Sequence, residues 1–120
     1  MDYDQLPLSF EVLAAPEPMP GHSLSFVEVA VAEHAVRIEY EIVPAVATRV
    51  PGLGWWGSAR DDLGNEYEDV GGAYGPSADG ERTEGTMSMP LPAPEAKALD
   101  VRLQLDDDGP VYELRVSLAL

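Results

Sequence analysis

Carboxylates are the reactive side chains this sequence holds in greatest number: 22 Asp and Glu in 120 residues, against seven Lys and Arg. Seven of those acids lie between Asp61 and Glu81, a stretch without Lys or Arg. Calcium takes clustered carboxylate and carbonyl oxygens on flexible loops, so Asp61, Asp62, Asn65 and Glu66 are candidate ligands for a cation. Their spacing is not that of an EF-hand loop. A second account needs no ion: Asp61 accepts N–H groups of its own turn, and the other acids are solvated. Residues 106–109, Asp-Asp-Asp-Gly, pose the same choice, and the Asp-Gly pair favours a plain hairpin turn there.

The second set of candidates is aromatic. Trp55 and Trp56 are adjacent, so on a strand they point to opposite faces. One belongs to the core. The other is free to form an exposed platform of the kind that stacks on a sugar ring or anchors a protein interface. Tyr74, in a glycine-rich stretch, joins them as a candidate binding residue. Alternation alone does not say which tryptophan faces out, because residues 44–54, with two prolines and two glycines, break the phase before it reaches them.

Catalysis has little to draw on. There are no cysteines, hence no thiolate nucleophile, no disulfide framework and no Cys-ligated zinc. The two histidines, His22 and His34, both fall at turn positions, and neither marks a Ser–His or metal-binding spacing. Carboxylate pairs serve glycoside hydrolysis when an apolar pocket raises the pKa of one member. Here nearly every acid sits on a polar strand face or in a turn. The expectation is a protein without enzymatic activity and without a cofactor.

The formal net charge of −15 restricts partners. A nucleic-acid binder needs a clustered basic face, whereas the cations here are scattered singly from Arg37 to Arg115. Anionic membrane surfaces are disfavoured by the same repulsion. Solubility explains the acidity most simply; a cationic partner, divalent metals or a high-salt cytoplasm would also suit it. The first residues lack the basic and apolar regions of a signal peptide, and no apolar run is long enough to span a bilayer, so a cytoplasmic location is expected. If the chain is a piece of a longer protein, an extracellular setting becomes open.

The elements that position these residues read as strands. Residues 1–120 suffice for one domain with a single core, and 11 glycines and 11 prolines divide it into many short pieces. Period-2 alternation marks a strand over residues 8–14 through Leu8, Phe10 and Val12, and a hairpin over residues 27–42 turning at Glu33-His34. Val27, Val29 and Val31 share the core face of that hairpin, and the change of phase at Leu24 and Phe26 predicts a β-bulge near Phe26. Asp61 to Asn65 forms a hairpin turn after the tryptophans, a short strand returns over residues 65–69, and residues 71–80 read as a long irregular connection. Residues 82–89 are extended. Pro90, Pro92 and Pro94 then force a crossing between sheets and open one helical turn at Glu95 to Ala98. Residues 100–105 and 112–120 close the chain as a hairpin. Seven or eight strands so spaced predict an all-β fold, an immunoglobulin-like antiparallel β-sandwich, with a closed barrel as the alternative.

A tryptophan before Ala59-Arg60-Asp61-Asp62-Leu63-Gly64-Asn65-Glu66-Tyr67, the Gly71-Gly72 pair, the run from Gly85 to Pro92 and the strand from Ala96 to Val101 together resemble the immunoglobulin-like domains of uncharacterised bacterial proteins, over roughly residues 23–120. The Ala-, Val-, Gly- and Pro-rich composition, with Arg preferred to Lys, is similar to that of actinobacterial proteins. The resemblance implies a fold and an interaction role, and transfers no catalytic residue. The expected function is a non-catalytic protein-interaction or accessory module with an unidentified protein partner; the alternative is a calcium-dependent carbohydrate-binding module. Oligomeric state is not legible in these residues.

Overall fold

The computed structural model describes residues 6–32, 34–46, 55–105 and 109–118. Ten strands run through them: β1 (Leu6–Leu8), β2 (Phe10–Ala14), β3 (Ser23–Ala32), β4 (Ala35–Val43), β5 (Trp55–Asp61), β6 (Glu66–Glu68), β7 (Gly72–Pro76), β8 (Thr83–Pro90), β9 (Ala98–Leu105) and β10 (Val111–Ser117). They form two antiparallel five-stranded sheets in the orders β1-β3-β4-β8-β7 and β2-β10-β9-β5-β6. No helix occurs among the described residues, and none is long and apolar enough to cross a membrane. The alternation that identified the strands also builds the core: Ile38, Ile42, Met89, Leu99, Leu103, Leu105, Leu114 and Val116 are fully buried between the sheets.

Ten strands stand where seven or eight were expected, for two reasons. The strand expected over residues 8–14 is divided at Ser9: β1 pairs with β3 in the first sheet and β2 with β10 in the second. Ser9 is the corner, its carbonyl accepting the Ser117 N–H at 2.9 Å. Beyond the corner, Val12 is exposed rather than buried. The other addition is β7, in the stretch expected to be irregular. Gly72 makes it possible, because a Cβ there would overlap the Thr86 carbonyl of β8, so only glycine allows the two backbones this close.

The β3–β4 hairpin forms as expected, with His34 in the left-handed region at φ 69°. Its bulge falls between Phe26 and Glu28. The extra residue is Val27, which a bulge leaves out of the ladder; it is exposed, not on the core face where alternation put it, and Leu24 is buried in its place.

The proline-rich segment carries the chain from β8 in one sheet to β9 in the other, but the expected helical turn at Glu95 to Ala98 does not form. One bond, Ala96 N–H to the Ala93 carbonyl at 2.9 Å, closes a turn. The next N–H groups are claimed elsewhere: those of Lys97 and Ala98 donate to Asp62 Oδ1 at 2.8 and 3.4 Å. The turn proposed at residues 106–108 lies outside the described residues.

Candidate binding site

Both ends of β5 carry residues singled out by sequence. At its C-terminal end, Asp61 points inward and is buried. Its Oδ1 accepts the N–H groups of Leu63 and Asn65, both at 2.9 Å. Its Oδ2 accepts the Asn65 side-chain amide at 2.9 Å and the Tyr67 hydroxyl at 2.6 Å. Burial by itself would raise the Asp61 pKa, but the bonds from Tyr67, Asn65 and Leu63 outweigh it and hold the carboxyl at about 2. The Tyr67 hydroxyl in turn accepts the Ala93 N–H at 3.0 Å. The turn is thereby tied to the crossing segment at Ala93 through Tyr67, and at Lys97 and Ala98 through Asp62.

Asp61, Asp62, Asn65 and Glu66 therefore do not converge on one point. Asp61 is filled by donors, Asp62 faces the crossing segment, and Glu66 pairs with Arg60 at 2.6 Å. Among the described residues no group of three or more His, Asp or Glu side chains is placed to hold a metal ion.

At the other end the two tryptophans part. Trp55 continues the inward row of Ala59 and Asp61, half-buried against the core. Its ring lies edge-on to Tyr40 with centroids 5.2 Å apart, and its Nε1–H donates to the Tyr40 hydroxyl at 2.9 Å. Burial pushes the Tyr40 phenol up to about 12, with the Trp55 bond opposing that shift. Trp56 is the outward one, 62% exposed.

The face around Trp56 is ordered by register. One cross-strand row reads Glu66, Arg60, Asp100, Arg115, Glu11 over β6, β5, β9, β10 and β2. Charge alternates along it, with Arg60–Glu66 at 2.6 Å and Arg115–Asp100 at 2.9 Å. Exposed pairs of this kind add little stability each, but like charges directly opposite are unfavourable, so the row opposes a shift in strand register. In the next row Ser58 lies between Glu68 and Arg102, and beyond it Trp56 lies opposite Gln104. Arg37, Arg60, Arg82 and Arg115 all form ion pairs; the exposed Arg102 forms none among the described residues. Trp56, Ser58, Glu68, Arg102 and Gln104 line an open depression of about 580 Å³.

Tyr74 does not join Trp56. It lies on β7, in the opposite sheet, paired with Gly85, and lines a separate slot with Trp55 and Tyr40. Sequence reading missed Arg102 and Gln104. They occupy ordinary polar positions of an alternating strand, and only the pairing of β5 with β9 brings them beside a tryptophan.

No protein-family model, curated protein or solved structure matches the chain.

Proposed function

We propose that the chain is a non-catalytic protein-interaction module, and that it binds its partner through the outer face of the sheet containing β5. The observation that carries this reading is Trp56, an indole left 62% exposed in the ladder of a sheet, lining one depression with Arg102. Tryptophan and arginine are the residues most enriched among those that dominate interface energies. The alternating ion row below them supplies a polar rim. An immunoglobulin-like arrangement is part of the proposal. It is supported by the order β10-β9-β5, which is that of the G, F and C strands of such domains, while β4, inserted between β3 and β8, is an addition to that pattern.

Capture of partners by the wild-type chain, by Trp56→Ala and by Arg102→Ala, with Arg37→Ala on β4 of the other sheet as control, tests the reading. The same protein should be lost from both the Trp56 and Arg102 variants and retained by the control. If every protein captured by the wild type is also captured by Trp56→Ala, the reading fails. The second reading, a carbohydrate-binding module, is favoured by the same flat indole with the polar groups of Ser58, Gln104 and Glu68 around it. In its calcium-dependent form it requires added calcium to raise the melting midpoint; since the Asp61 oxygens already accept four donors, the expected shift is none.

A further inference from the structure

The strand that turns Trp56 outward turns Trp55 into a slot on the opposite side of the sheet. That slot holds about 150 Å³ and is lined by Tyr40, Trp55 and Tyr74, with Asp69, Met87, Thr86 and the backbone of residues 71–73 completing it. At roughly 30 Å³ per water this is room for about five heavy atoms. We propose that it is a cage for an alkylated ammonium group.

Three aromatic residues and one carboxylate are the constituents of such a site. A quaternary or methylated ammonium is attracted to the electron-rich faces of Trp and Tyr, and its hydrocarbon coat loses little hydration on entering. Asp69 supplies the counter-charge. Its Oδ2 accepts the Gly57 N–H at 2.7 Å and its Oδ1 the Gly71 N–H at 3.3 Å, so it is held in place by backbone and has no cationic partner among the described residues. A bare ammonium fits less well, because one carboxylate and three rings offer too few acceptors for its N–H groups. A metal ion fits worse, with a single carboxylate to bind it.

The backbone shapes the slot. Tyr40, Gly85 and Tyr74 form one cross-strand row over β4, β8 and β7. A Cβ on Gly85 would overlap the Tyr40 ring, so glycine lets that ring lie flat across β8 with Tyr74 on its far side. The Tyr40 hydroxyl, fixed by the Trp55 indole, sets the angle between the two rings. The net charge of −15 favours any cation over an anion or neutral group of the same shape.

The slot shares Trp55 and Asp69 with the depression beside Trp56, so it is tested with Trp56 altered. In a Trp56→Phe background Trp55 is the only tryptophan; because it borders the depression as well as the slot, the Tyr74 variants, which touch the slot and not the depression, assign its fluorescence response. Titration with choline should give a saturable change. The uncharged tert-butyl isostere, with carbon in place of the quaternary nitrogen, should bind at least about tenfold more weakly. Tyr74→Ala and Asp69→Asn should each weaken choline binding roughly three- to thirtyfold, whereas Tyr74→Phe, which keeps the ring, should retain it. Tyr74 is largely exposed, so its variants test the site even if an Asp69 variant fails to fold. A peptide carrying trimethyllysine, compared with free choline, identifies the source: tighter binding of the peptide assigns the site to a modified protein tail, equal or weaker binding to a small molecule. Equal affinity for choline and its uncharged isostere, or no saturable response to either choline or the peptide, overturns the proposal.

Discussion

Asp61 and Trp56 stand at opposite ends of one seven-residue strand, and their surroundings differ in a way that sorts structure from function. At the Asp61 end both oxygens of the buried carboxylate are committed: four donors reach them, and through Tyr67 and Asp62 the turn is bound to the segment that carries the chain between sheets. At the Trp56 end a large apolar ring faces solvent, lining one depression with an arginine that forms no ion pair among the described residues. A polar group fully satisfied within the chain has nothing left to offer a ligand, whereas an exposed large apolar ring with hydrated polar groups around it can still gain by being covered. The most acidic part of the sequence thus serves the scaffold, and the less conspicuous part is the proposed site.

The comparison breaks most sharply on stability. Replacing Asp61 with Ala leaves the Leu63 and Asn65 N–H groups and the Tyr67 hydroxyl without their acceptor, and should lower the melting midpoint by on the order of 10 °C. Asp62→Ala, which loses only acceptors for two exposed N–H groups, should cost clearly less; equal losses would mean that the Asp61 network does not hold the turn. Trp56→Ala is the converse. It should leave the midpoint within about 2 °C of wild type while weakening partner binding by about 2 kcal/mol, near thirtyfold. A large fall in midpoint would make Trp56 a packing residue.

Acid titration sharpens the same contrast. The Asp61 pKa is about 2 in the folded chain, below the ordinary value near 3.9. The folded state therefore favours the carboxylate: this contribution is complete above about pH 4 and is lost as pH falls towards 2. Chemical denaturation of wild type should show that decline, and Asp61→Asn should flatten it. A decline unchanged by the substitution would assign acid sensitivity to other carboxylates. The smallest effect concerns the two tyrosines that meet Trp55. Burial pushes both Tyr40 and Tyr112 up to about 12, but the Tyr40 hydroxyl accepts the indole N–H while that of Tyr112 has no partner among the described residues. Tyr112→Phe should be neutral or stabilising by up to about 1 kcal/mol, and Tyr40→Phe destabilising by a similar amount. Denaturant midpoints of the pair decide it, and the reverse order would refute the assignment.

Local chemistry was readable in the sequence, whereas pairing was not. The Asp61 turn, the hairpin turning at His34 and its bulge rest on residues within a few positions of one another, and each is found. The orientation of Trp55 and Trp56 depends on which residues of β9 they oppose, more than forty positions along the chain, and nothing in residues 44–54 carries the phase across. Trp55, Tyr40 and Tyr74 meet for the same reason, through the ladders that join β4, β8 and β7 and the packing of that sheet against β5 in the other. The edge strand β7 was missed because glycine, which marks a loop to propensity, here serves close backbone approach. The division at Ser9 was missed because a strand that changes sheet without losing alternation has no sequence signature.

That corner at Ser9 has a mechanical consequence. Apolar contact between two sheets is non-directional and gives little resistance to sliding. A strand that is laddered to β3 on one side of a single residue and to β10 on the other converts a slide into the rupture of hydrogen bonds in both sheets at once. The crossing from β6 to β7 is nearly as tight: the Asp69 N–H bonds to Gly57 of β5 and the next, that of Val70, to Ser88 of β8. Under a shearing load these two places act as rivets, and they should be the last connections between the two sheets to yield.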